Sequence, residues 1–203
     1  DNEMVQEGRI GPGIAADGSI ERLRLGKTFE QVVSQVHGRY YEQSGRGNLY
    51  SAANIAAQAV SVALATTYTG LVLYNPIGSG VNLVPLVAKY SLSVAPAAIA
   101  PIGLISGYSA TGGVTAQTTP LISRNNLIGG LAGKGIALSA ATIVTPVWLQ
   151  QLYDGFTAAA LPNPQAPFDL AGLYTIPPGG FIAFGALTAV TGLGSMSWEE
   201  VLI

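Results

Sequence analysis

Val60 to Tyr74 reads VSVALATTYTGLVLY, and the spacing of its apolar residues decides the fold class. Val60, Val62 and Leu64 fall on one side of an extended chain; Ser61, Ala63, Ala65, Thr67 and Thr69 fall on the other. Period two is the signature of a strand. The stretch lies within Ala52–Tyr74, which carries no charge and is long enough to cross a bilayer as a helix. Asn54, Gln58, Ser61, Thr66, Thr67, Tyr68 and Thr69 argue against that, as do apolar residues that are mostly small. An outer-membrane barrel would share the alternation, but Pro-rich turns and the lack of repeated aromatic girdles oppose it.

Working outward, the rest of the chain from Leu49 reads as strand after strand. Asn75 to Gly80 (NPIGSG) is a turn, and Val81 to Val94 resumes the alternation, with Pro85 marking an edge position or a bulge. Ala100 to Tyr108 is a further run, closed by Thr111-Gly112-Gly113. Gly135 to Val144 and Pro146 to Phe156 read as a pair around Thr145-Pro146, and Ala160 to Pro167 as a rigid loop. Leu170 to Ile176 is expected to be a strand leading into a tight turn at Pro177-Pro178-Gly179-Gly180. Phe181 to Val190 follows, then a turn at Thr191 to Gly194 and a last strand from Ser195 to Ile203. Short strands punctuated by Gly and Pro predict an all-β, jelly-roll-like antiparallel β-sandwich.

The first residues differ. Residues 1 to 27 are Gly-broken and alternate in charge, which predicts an extended arm ordered by what it lies on. Thr28 and Gln31 form a capping box ahead of Phe29, Val32, Val33 and Val36, predicting one short helix over 29–37. The expected organisation is an arm with its helix, 1–50, and a sandwich domain, 51–203. No signal peptide is visible at Asp1.

Charge is concentrated at the front. Between residues 51 and 197 the only charged side chains are Lys89, Arg124, Lys134, Asp154 and Asp169, and over the whole chain charged residues make up 10%. A surface so short of charge is poorly suited to a soluble monomer. It predicts that much of the surface is covered by copies of the chain or by a partner. The net charge of -2 predicts no attraction to nucleic acid or to acidic lipid. With no cysteine, disulfides and thiolate metal sites are excluded.

Candidate chemistry is sparse. His37 has no second histidine or carboxylate cluster to make a metal site, and Tyr40, Glu42 and Ser44 are near it only in sequence. A helix-terminal histidine meeting backbone carbonyls explains it better. Asp154 and Asp169 sit in turn contexts, while Glu199 and Glu200, adjacent on a strand, face opposite sides. Gly129 to Gly135 (GGLAGKG) lacks the Ser/Thr that follows the lysine of a phosphate loop, and reads as a flexible connection. Trp148 and Trp198 lie in apolar runs, which predicts core or interface roles.

Gly38 to Tyr50 (GRYYEQSGRGNLY) resembles the Arg-Tyr-Tyr-Glu…Arg-Gly-Asn-Leu-aromatic segment of small virion structural proteins of tailed bacteriophages. Leu73 to Pro85 resembles their first hairpin; Ile176 to Ala186 and Ser195 to Ile203 resemble their last two strands. The resemblance implies a jelly-roll-like sandwich on the virion, a capsid cement (decoration) protein or a head or tail accessory. It implies no enzymatic activity and no cofactor. On this reading the chain forms a homo-oligomer, a dimer or trimer, and contacts the major capsid protein, with no nucleic-acid or membrane partner. Arg39, Glu42 and Arg46 would make charge-assisted contacts, and Tyr40, Tyr41 and Tyr50 would be aromatic anchors, with Gly45 and Gly47 permitting a bend. The alternative is a carbohydrate- or receptor-binding protein on the same fold.

Overall fold

A computed structural model describes residues 38–60, 62, 64–153 and 167–203. The expected arm, the helix expected at 29–37, His37, Asp154 and most of the Ala160–Pro167 loop lie outside the described residues. The chain divides into two compact units, Asp1–Tyr41 and Glu42–Ile203. The second is an all-β antiparallel sandwich.

One short helix, α1 (Tyr41–Gly45), precedes the strands. The first six strands are β1 (Leu49–Ala53), β2 (Gln58–Val60), β3 (Thr67–Tyr74), β4 (Val81–Leu92), β5 (Ile102–Tyr108) and β6 (Val114–Pro120). Then come β7 (Arg124–Asn125), β8 (Ile136–Ile143), β9 (Val147–Tyr153), β10 (Phe168–Asp169), β11 (Gly180–Ala186) and β12 (Val190–Leu202). One sheet runs β10-β4-β12-β1-β7, with β2 also on β12; the other runs β6-β8-β3-β11-β5-β9. Most connections carry the chain from one sheet to the other, as expected of a jelly-roll-like path. Among the described residues, no strand pairs with its immediate neighbour in sequence.

Period two is clearest in β12. Val190, Gly192, Gly194, Met196, Trp198 and Glu200 are buried, and the residues between them are not. In β4 the buried parity changes at Pro85-Leu86, where the register with β12 slips from Ser197↔Val87 to Trp198↔Pro85. Leu86 is the extra residue, so the expected bulge at Pro85 is present and removes the need for a proline N–H in the ladder. β3 carries a second irregularity between Thr69 and Val72, beside Gly70, whose φ is 119°. Across the sheets, Tyr90 meets Phe184 at 5.4 Å between ring centroids; within the second sheet, the Tyr68 hydroxyl donates to the Phe184 carbonyl at 2.6 Å.

Several expected elements are corrected. Thr191–Gly194 does not turn but continues β12, because its glycines serve packing. A Cβ on Gly194 would stand 2.8 Å from the Phe184 ring, and one on Gly192 would strike the Ser91 carbonyl. The strands around Thr145-Pro146 do not pair: β8 lies beside β6 at one side of its sheet and β9 is the opposite edge. Thr145, at φ 44°, takes the chain out of the ladder. Leu170–Ile176 is not a strand. Asp169 accepts the Ala171 N–H at 2.9 Å, Ala171 and Gly172 adopt positive φ, and only Ile176 bridges to Leu83. Asn75–Gly80 turns as expected but joins the two sheets rather than closing a hairpin. Asn75 holds that corner, its amide donating to the carbonyls of Val81 and Ile176 at 2.8 Å each.

Burial pushes the phenols of Tyr68 and Tyr90 above their ordinary value. The folded state therefore holds these protons more tightly than the unfolded chain. Their contribution is complete below about pH 10 and is lost as pH rises further. The Tyr90 hydroxyl has no hydrogen-bond partner, so Tyr90→Phe should leave stability at pH 8 unchanged or raise it by up to about 1 kcal/mol. It should also make the alkaline loss between pH 10 and 12 shallower, as read by urea unfolding. A chain ending before Val190 removes the one partner shared by β1, β2 and β4; it should show no cooperative unfolding by circular dichroism.

Candidate functional site

The segment expected to hold a partner leads into β1. In Asp1–Tyr41, Arg39 lies over the Tyr40 ring, with Cζ 5.2 Å from the centroid, and Tyr41 is exposed. The segment forms a helix rather than an open hinge. The Arg46 guanidinium donates twice to Glu42 Oε1, at 3.0 and 2.8 Å, an i,i+4 pair in the order that suits a helix. Both partners are well exposed, so the pair adds little to stability. The helix ends on Gly47 at φ 74°, with Gly47 N–H donating to Ser44 and Asn48 N–H to Gln43. This is a Schellman ending, and it assigns the bend to Gly47 alone, since Gly45 is helical.

Tyr50 is a correction. At 6% exposure it belongs to the core, pairs in register with Trp198 and stacks on it at 6.1 Å between centroids. It cannot serve as a surface anchor. Burial first, and then the Glu200 charge, raises its pKa, which a bond to Asn125 partly offsets. Arg39, Tyr41, Glu42 and Arg46 are exposed and Tyr40 is half-buried.

Glu200 was not singled out as a site, and it organises the neighbouring loop. It is on the Trp198 face of β12 and turns inward, while Glu199 faces the other way. Its Oε1 accepts the N–H groups of Lys134 and Gly135 at 2.8 Å each, and its Oε2 accepts Lys134 N–H at 2.9 Å. Trp198 Nε1 adds a longer contact of 3.4 Å to Oε1. The Gly129–Gly135 stretch thus does cradle an anion, but the anion is the chain's own carboxylate. A Cβ on Gly133 would stand 2.6 Å from Glu200 Oε1, so glycine is required for the approach. The readable signal was parity: a glutamate two residues after an inward tryptophan shares its face.

The β7–β8 loop is fixed at its other end by Asn125. Its amide donates to Gly47 at 2.7 Å and to the Leu131 carbonyl at 3.3 Å, and its Oδ1 accepts Leu127 N–H at 2.9 Å. Gly130 N–H closes a turn on the Leu127 carbonyl at 2.7 Å. This held loop projects Ile128 and Leu131 into solvent, 88% and 86% exposed. Arg124 and Lys134 flank it and are exposed as well.

On the opposite edge of the sandwich, an open groove of about 430 Å³ runs between β9 and the segment after β10. Tyr108, Val147 and Leu149 line one side and Leu173 and Tyr174 the other. The Tyr174 hydroxyl donates to Gln150 Oε1 at 2.6 Å, tying the two edges together. Trp148, 37% exposed, lies over the register partners Gly103 and Gly185, where a Cβ on Gly103 would meet its ring at 2.8 Å. No charged residue lines this groove.

Among the described residues, no group of three or more His, Asp or Glu side chains could hold a metal, and no helix is long and apolar enough to cross a membrane. No protein-family model, curated protein or solved structure matches the chain.

Replacing Glu200 by Gln keeps one neutral oxygen for Lys134 and Gly135, loses the carboxylate charge and sets an N–H₂ against the Lys134 N–H that Oε2 now accepts. The substitution should cost about 1.5–3 kcal/mol in urea unfolding. Hydrogen exchange should quicken at Lys134 and Gly135, whereas Glu199→Gln should stay within about 0.5 kcal/mol of the parent.

Proposed function

We propose that the protein is a structural component of a tailed-phage virion: a capsid cement or decoration protein that stabilises the head shell through contacts with the major capsid protein and with copies of itself. The observation that carries this reading is the surface of the sandwich. It is almost without charge yet presents large apolar side chains at several edges, among them Ile128, Leu131, Val147 and Leu173. Depletion of charge with retained apolar area is the composition of a surface that spends its life covered. The resemblance of Gly38–Tyr50 and of the last two strands to virion proteins supports the same reading.

In this role the segment ahead of β1 is the attachment to the shell. Arg39, Tyr40, Tyr41, Glu42 and Arg46 supply stacking rings and charge-assisted hydrogen bonds, whereas Tyr50 works from inside, fixing the segment to the sandwich. The role calls for no catalytic group and no cofactor.

Quantitative mass spectrometry of purified particles tests the proposal. The expected result is a copy number comparable to that of the major capsid protein. A handful of copies per particle would move the protein to the neck or tail, and its absence would end the virion reading.

A further inference from the structure

We infer that the four end strands of the sandwich are closed to strand addition, those of one sheet by shortness and charge and those of the other by bulges. Association of the chain then runs through side-chain surfaces and not through a shared backbone ladder. The inference goes beyond the virion reading and does not depend on it.

A strand at the end of a sheet offers a row of backbone N–H and C=O groups to any other chain, and proteins blunt such rows with charge, shortness, proline or bulges. Charge is scarce here, and it is spent at edges. Of the few charged residues between 51 and 197, Arg124 stands on β7 and Asp169 on β10, the two ends of the first sheet. Each of these strands is only two residues long. β4 runs past β10, and its one charge, Lys89, directly follows the Val87-Ala88 pair that β10 covers.

β6 and β9, the ends of the second sheet, carry no charge and run to seven residues each. Val147-Trp148-Leu149-Gln150-Gln151-Leu152-Tyr153 is rich in β-formers and has no proline, a composition that pairs readily when its ladder is regular. Its ladder is interrupted twice. Ile105 and Leu104 pair with Trp148 and Gln150, and Gly103 and Ile102 with Gln151 and Tyr153, so Leu149 and Leu152 are extra residues.

β6 is broken in the same way. Thr115 and Thr118 are extra against β8, Ser139 is extra against β6, and the strand closes on Pro120, which has no N–H to give. The interior ladders are smoother, with one shift between β3 and β8 and none between β5 and β11 over seven pairs. Irregularity thus gathers in the outermost ladders, where each bulge turns the outward row of donors and acceptors out of line. What lysines do on the edges of a charge-rich protein, geometry does in this one.

The test uses the full chain and sedimentation velocity over a range of concentrations, with circular dichroism to check the fold. Deleting Thr115 and Thr118, both exposed, brings Val114, Ala116, Gln117 and Thr119 into unbroken register with Ile143 to Ala140. This variant should self-associate about ten-fold or more tightly than the parent, and Ala116→Lys on the same background should reverse the gain. Deleting Leu149 aligns Val147, Trp148, Gln150 and Gln151 with Ser106 to Gly103 and should act alike, with Val147→Lys as its reversal. It carries the test if the β6 deletion fails to fold. In the parent chain, Ala116→Lys and Val147→Lys, both at exposed positions, should leave the distribution of species unchanged.

A deletion variant that keeps the parent's fold and its sedimentation profile overturns the inference. So does a gain in association that the lysine fails to reverse. Loss of the parent's own association with either lysine also overturns it, because the native edge would then be in use. Particle copy number, which tests the virion reading, moves none of these outcomes.

Discussion

The last strand carries the sandwich. β12 pairs with β4 along nearly its whole length and, on its other side, with β2 and β1 in succession, so three strands far apart in sequence have their order set by one. Its inward residues then meet the opposing sheet, the neighbouring strand and a loop. Gly194 leaves room for Phe184, Trp198 stacks on Tyr50, and Glu200 holds the β7–β8 loop. A buried carboxylate is costly unless its oxygens are satisfied, and here the backbone of a glycine-rich loop satisfies both of them. The same interaction relieves the loop's donors and gives a flexible sequence a defined shape. It is a constraint in both directions: the loop needs the acid, and the acid needs glycine at 133 to reach backbone.

Strands such as β4 and β12 were legible because they bury one face, and burial at period two leaves a trace in composition, whereas β6 and β9 lie at sheet edges with little buried. Pro85 even marked its bulge, since a proline in a central strand has few other places to go. Pairing was not legible. Short turns at Thr145-Pro146 and Asn75–Gly80 suggested neighbours, yet partners are chosen by side chains far away. Glycine was the main source of error. In Thr191–Gly194 it reads as a turn from local preference, whereas what selects it is the ring of Phe184 from the opposing sheet. Tyr50 misled for a related reason: after Tyr40 and Tyr41 it looks like a third anchor, and only its register opposite Trp198 places it inside.

The candidate surfaces were legible only as a shortage. Low charge was read as the mark of a covered surface, but composition has no geometry. It could not say that exposed aliphatics gather on a loop held by Asn125 and Glu200, or that the concave apolar strip is at the far edge. Glu200 illustrates the limit. Its parity with Trp198 was available in the sequence, but its partners, Lys134 and Gly135, are distant along the chain and act through backbone atoms that carry no residue signature.

Absence of pairing between consecutive strands has a consequence for how the protein is made. A chain emerging from the ribosome usually can begin with hairpins, each a partial structure available before the next segment appears. Here β1 emerges early and has to wait for β7 and β12, while β4 and β2 wait for β12 as well. The closed sandwich can exist only once β12 has been made, so a chain that lacks this strand cannot present the finished fold.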